Sequence, residues 1–236
     1  MEQLQSDMMG YDRAITLFSP DGRLLQVEYA RKTVSQGSAA IGLVGKNCVV
    51  LAADKRLPET EKLIVSESVE KIFKINNYIA AAMSGMIADG RVLIEKSQLE
   101  AQQHMITYNE PADILLLLKS ISTEMQAFTQ YGGARPYGVS ILYGGFKADK
   151  PVLYMLEPSG IFFQYNAVAI GENSNDINKH LEGNYQPNSD KDTLIKLAIK
   201  AFKSSGIKLS PNRFDIVVVD KNGFSRMSLK EIESYL

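Results

Sequence analysis

Tyr11-Asp12-Arg13-Ala14-Ile15-Thr16-Leu17-Phe18-Ser19-Pro20-Asp21-Gly22-Arg23-Leu24-Leu25-Gln26-Val27-Glu28-Tyr29-Ala30 is the most informative stretch of the chain. Within it, Ser19-Pro20-Asp21-Gly22 puts Pro at i+1 and Gly at i+3 of a type I turn. From Leu24 onward, Leu24, Val27, Ala30 and Val34 recur at helical spacing. That period predicts a short amphipathic helix ending near Gly37. Upstream, the first ten residues are polar with a methionine pair, Met8 and Met9, the kind of terminus that frays unless a partner holds it.

Downstream the period shortens. Ser38 to Val44 and Cys48 to Ala53 are apolar runs separated by Gly45-Lys46-Asn47, a hairpin signal. Lys71 to Ile75 and Tyr78 to Met83 form a second pair around Asn76-Asn77. These read as antiparallel strands buried on at least one face. A helix is expected from about Met86 to Met105, with Val92, Ile94, Leu99 and Met105 among its apolar positions. A second is expected to start with Pro111 at N1 and stop at Gly132-Gly133. Strands follow at Tyr137 to Tyr143, Val152 to Leu156, Ile161 to Tyr165 and Ala167 to Ile170. Leu194, Leu197, Ala198, Ala201 and Phe202 give the cleanest helical period, with Ser189 and Asp192 resembling a capping box. The strand Phe214 to Val219, a turn at Asp220 to Gly223 and a short helix complete the chain. Strands in blocks with helices between them imply α+β layers.

The 236 residues suit one compact unit and can bury roughly three-quarters of their unfolded surface. With 26 Lys+Arg against 27 Asp+Glu, the net charge of −1 argues against a nucleic-acid binder driven by overall charge. One cysteine, Cys48, excludes a disulfide within the chain and a Cys-rich zinc site. Ile114 to Leu118 is too short an aliphatic run to span a bilayer, and Met1 to Gly10 lacks the features of a secretory signal. The expectation is a soluble, cytoplasmic protein without cofactor, metal, membrane or nucleic acid.

Chemistry is hard to find from residue types alone. Gly45-Lys46 is not a phosphate loop, because Ala40 and Asn47 stand where Gly and Ser/Thr belong. His104 and His180 each read as solvent-facing helical residues with no second histidine at ligand spacing. A Ser-His-Asp triad, which is assembled in space, has no Gly-x-Ser-x-Gly elbow to support it. Glu95, Lys96, Lys196 and Lys200 read as solvated helix faces, and Lys71 taken alone as an exposed strand lysine.

The Tyr11 to Ala30 stretch closely resembles the N-terminal signature of proteasome α subunits. Gln130-Tyr131-Gly132-Gly133-Ala134-Arg135-Pro136-Tyr137-Gly138-Val139-Ser140 and Ala169-Ile170-Gly171 agree with it. The similarity runs from about Tyr11 to the C-terminus, and no long acidic or lysine-rich tail follows, as in the archaeal type. The resemblance implies the N-terminal-nucleophile hydrolase fold, a four-layer αββα sandwich with two antiparallel sheets between helix layers, spanning residues 11–236. It also implies seven-membered α rings stacked on β subunits, which carry the peptidase sites.

Residues 1–10 would then form a flexible gate tail over the pore. Tyr11, Asp12, Pro20 and Tyr29 match the cluster that holds the gate open; two phenols, a carboxylate and a fixed turn suit a contact across a boundary between neighbouring protomers. Lys71, Gly37, Gly85 and Met86 match the pocket that receives the C-terminal tails of an activator ring ATPase. Met86 replaces the leucine expected there, a change of similar volume. The alternative is a processed peptidase using Ser38, with Asp54 and Lys71 near the β-type aspartate and lysine. That chemistry needs a free α-amine on the nucleophile, and Ser38 follows 37 residues that include the α-type signature.

Overall fold

Among the described residues ten strands pair antiparallel into two sheets. Strands β1 (Ala40–Val44), β2 (Cys48–Asp54), β8 (Ala167–Ile170), β9 (Phe214–Asp220) and β10 (Gly223–Arg226) form one, in the order β10-β9-β2-β1-β8. Strands β3 (Ile72–Asn76), β4 (Ile79–Gly85), β5 (Val139–Lys147), β6 (Lys150–Leu156) and β7 (Phe162–Tyr165) form the other in chain order. The described helices are α1 (Leu25–Gln36), α2 (Ile87–Tyr108), α3 (Ile114–Phe128), α4 (Ser174–Asn184), α5 (Lys191–Ser204) and α6 (Leu229–Glu233). The structure, a computed structural model, describes residues 16–56, 63, 65 and 68–236.

Side chains alternate between the two faces of a strand, and here both faces are buried. In β2, Cys48, Val50 and Ala52 pack under α4 and α5, while Val49, Leu51 and Ala53 meet the opposite sheet. In β4, Ile79, Ala81 and Met83 pack under α2 and α3, while Ala80 and Ala82 turn inward. Three apolar layers therefore separate four layers of secondary structure, the αββα order. The inner layer is thin: a Cβ on Gly42 would come within 2.6 Å of Leu153 Cδ1. Each fully buried residue such as Ile41 or Leu51 contributes roughly 1.5–3 kcal/mol of transfer free energy.

Several local expectations shift. Pro111 is not at N1: the second long helix starts at Ile114, with Asp113 as its N-cap accepting from Leu115 N at 2.7 Å, and it ends at Phe128 rather than at Gly132-Gly133. Asp190, not Ser189, caps α5 and accepts from Thr193 N at 2.8 Å. Ser189 stays outside the helix because its carbonyl accepts from Lys46 N at 3.0 Å. Helix α4 carries His180, in keeping with the helical reading of that residue, and precedes α5, and β10 follows the Asp220 to Gly223 turn. In α2 the buried face is Leu93, Ile94, Ser97 and Ala101, whereas Val92, Leu99 and Met105 are exposed. Lys96 is half-buried and pairs with Glu124, and Glu95, Lys196 and Lys200 are exposed. His104 and His180 are half-buried rather than solvent-facing.

Candidate functional site

One end of the sandwich gathers the residues of interest. Antiparallel pairing sets Ile72 against Ala82, Gly85 against Val139 and Ala40 against Ile170. Gly37 and Ser38 leave α1, Lys71 leads into β3, Ser84 and Gly85 end β4, Gly138 precedes β5 and Gly171 follows β8. Contact there is too close for side chains. A Cβ on Gly37 would overlap Gly85 N, and one on Gly85, at φ +112°, would overlap Gly138 O. The backbones that approach Gly37 and Gly85 are thus the chain's own.

Lys71 is 2% exposed, so the reading of an exposed strand lysine does not hold. Its Nζ donates to Ser38 Oγ at 2.7 Å and to Ser38 O at 3.3 Å. Ser84 Oγ donates to the same carbonyl at 2.9 Å. Burial lowers the Lys71 pKa to about 8; Asp54 opposes the shift and Arg56 adds to it. Among the described residues no carboxylate lies within ion-pair distance of this ammonium. Asp54, 1% exposed, is committed elsewhere: Arg213 grips both of its oxygens at 2.7 and 2.8 Å, and Arg56 N donates to it at 2.9 Å.

Ser38, Lys71 and Asp54, singled out through the resemblance, therefore share one corner, with Lys71 on the Ser38 hydroxyl and Asp54 held by Arg213. The Gly37 carbonyl, just ahead of Ser38, accepts from Glu172 N at 2.8 Å. Within the chain Ser38 carries a peptide nitrogen in place of the free α-amine that this chemistry needs.

Met86, 40% exposed, borders this corner. Its amide donates to Gly138 O at 2.8 Å and its sulfur lies 3.3 Å from Arg135 Nη2. Arg135 is held in turn by Asp89, with contacts of 2.6 and 2.8 Å, and Asp89 Oδ2 also accepts from Gly138 N at 2.8 Å. Burial alone would raise the Asp89 pKa, but the Arg135 hydrogen bonds, the Gly138 amide and the Arg135 charge outweigh it and hold it low.

The Ser19–Gly22 turn forms as expected, closed by Gly22 N to Ser19 O at 2.8 Å, with Gly22 at φ +74°. Pro20 is exposed at its tip. Tyr29 is exposed on α1, whose Val27, Ala30 and Val34 face inward. Tyr11, Asp12 and the tail Met1 to Gly10 lie outside the described residues.

Sequence reasoning missed Arg213, Asp89 and Ser84. Arg135 and Gly138 sat inside a quoted motif, but nothing local pointed to Asp89 as their partner.

Two family models match the chain: that of the proteasome subunit over residues 34–219, and the N-terminal signature of A-type proteasome subunits over residues 11–32. A proteasome α subunit of Pyrococcus abyssi is 48% identical over 230 residues, 96% of this chain and 87% of its own length. One from Thermococcus onnurineus is 46% identical with the same coverage, and one from Methanosarcina acetivorans is 41% identical over 97% of this chain and 93% of its own. Both models and these relatives agree with the layered fold, and the chain belongs to the proteasome subunit family, as a member of its α type.

Proposed function

We propose that the chain is a gating subunit of a seven-membered α ring in a cytoplasmic proteasome. Its tails, Met1 to Gly10, close the central pore, and the cluster of Tyr11, Asp12, Pro20 and Tyr29 holds the open arrangement. The C-terminal tails of a ring ATPase dock at Lys71, with Gly37, Gly85 and Met86 around it. As a proteasome subunit of the α type, the chain assembles with other proteasome subunits and is not catalytic; peptidase activity lies in the β subunits. The processed-peptidase alternative using Ser38 falls with that assignment.

One observation carries the docking reading. Lys71 is a buried ammonium answered by neutral oxygens alone among the described residues. Buried charges are ordinarily paired, and a carboxylate arriving at a preformed cation gains a charge-assisted hydrogen bond. The end of a peptide tail supplies that carboxylate. On this reading Lys71→Ala abolishes ATPase-stimulated protein degradation by the assembled barrel and leaves unstimulated cleavage of small peptides intact; stimulation that survives the substitution overturns the docking assignment. For the gate, deletion of Met1 to Gly10 raises basal peptide hydrolysis severalfold, and an unchanged basal rate excludes the tail as a plug.

A further inference from the structure

The ammonium at this corner already has an occupant. Lys71 Nζ sits 2.7 Å from Ser38 Oγ and 3.3 Å from Ser38 O, beneath the point where the chain leaves α1. The two acceptors differ in what else they do. Ser38 O is fixed by Ser84 Oγ at 2.9 Å, whereas no other partner of the Ser38 hydroxyl is seen among the described residues. The hydroxyl is therefore the replaceable one. A carboxylate is the stronger acceptor for an ammonium, and Lys71 carries a four-carbon stem that lets its head group change partners without backbone movement. At 2% exposure, the lysine has to leave its present seat for a solvent-borne tail to reach it.

We propose that Ser38 is a positioning residue that competes with the activator tail for Lys71, holding the ammonium inward until a terminal carboxylate displaces its hydroxyl. The inference rests on the docking reading above and adds a regulatory element to it. Removing a competitor that is present only before binding raises the free energy of the empty site and leaves the occupied site unchanged, so affinity rises. A contact that persisted in the occupied state would have the opposite effect.

The proton state of Lys71 reports on the same contact. The charged groups acting on it are Asp54 at the end of β2, itself clasped by Arg213, and Arg56 just beyond; Ser84 of β4 brings only a hydroxyl. A tail carboxylate binds the ammonium and not the neutral amine, so tail affinity falls as pH rises through about 8. Taking the Ser38 hydroxyl away removes an acceptor that favours the charged form, and moves that fall to lower pH.

The test uses the full chain assembled in its rings and a dye-labelled peptide with the C-terminal residues of a ring ATPase. The same peptide with an amidated C-terminus is the control. Ser38→Ala is expected to bind the free-acid peptide roughly tenfold more tightly, the scale of one hydrogen bond to a charged group. Its affinity falls at lower pH than in the parent, and Ser38→Thr, which keeps the hydroxyl, restores both. Unchanged or weaker binding by Ser38→Ala overturns the inference, as does an unmoved pH midpoint. Lys71→Ala separates the two levels: if it binds the peptide like the parent, the docking reading fails. If Lys71→Ala abolishes binding and Ser38→Ala gives no gain, docking stands and the competition does not.

Discussion

Arg135 and Lys71 stand at the same end of the sandwich, just ahead of β5 and β3, and meet opposite surroundings. Arg135 is matched by a carboxylate of its own chain, with Asp89 presenting both oxygens and also satisfying Gly138 N. Lys71 is the more deeply buried of the two, yet among the described residues it reaches only the oxygens of Ser38. Asp54 is near enough to influence it but is spent on Arg213 and Arg56 N. A matched charge that anchors a loop reads as construction. A buried cation that meets no anion among the described residues reads as a site awaiting one, because those residues do not offset its desolvation.

The strongest challenge to this contrast is to remove each charge and watch the sign of the stability change. Asp89→Ala strips Arg135 of its partner and leaves the Gly138 amide without an acceptor. The expected cost is about 2–3 kcal/mol, seen as a drop of roughly 5–10 °C in thermal midpoint. Because the folded Asp89 pKa lies below its unfolded value of about 3.9, its contribution is present above that pH and is lost as pH falls through the folded value. The parent's advantage over Asp89→Ala should therefore shrink in acid. A variant that unfolds with the parent at neutral pH makes the clamp ornamental.

Lys71→Met tests the other half, with a smaller effect of opposite sign. It replaces a poorly solvated ammonium with an apolar chain of similar length, and a gain of roughly 1–2 kcal/mol in urea unfolding at pH 7 is expected. The sign follows from linkage. The folded pKa of about 8 lies below the ordinary lysine value of 10.5, so the unfolded chain binds the proton more strongly between them. Parent stability tied to Lys71 therefore rises from about pH 8 towards 10.5, and the Lys71→Met advantage fades over that window. A loss of stability in Lys71→Met would mean that the lysine is a structural residue like Arg135.

Local chemistry is legible where it is self-contained. Gly45-Lys46-Asn47 closes the β1–β2 hairpin, Ser19 to Gly22 closes its turn, and Val27, Ala30 and Val34 bury one face of α1. The N-caps are displaced by short steps because competent capping residues stand side by side. Ser189 and Asp190 can both cap, and the distant Lys46 amide decides between them by holding the Ser189 carbonyl. The buried faces of α2 and α3 are harder to read, since apolar residues lie all around them and packing against β4 and β5 selects which are covered.

Residue order alone carries apolar runs that read as strands buried on at least one face, the turns and, through the Tyr11 to Ala30 signature, the resemblance to the family. The resemblance in turn points to Ser38, Asp54, Lys71, Gly37, Gly85 and Met86. Folding alone settles who meets whom: Lys71 with Ser38 across 33 positions, Asp89 with Arg135 across 46, Asp54 with Arg213 across 159. Residue type and spacing fix what a side chain is able to do, whereas its partner is set by which strand ends the sheets bring together. Whether a lysine is exposed, paired or buried without a counter-charge is therefore a property of the assembled corner rather than of any segment in it.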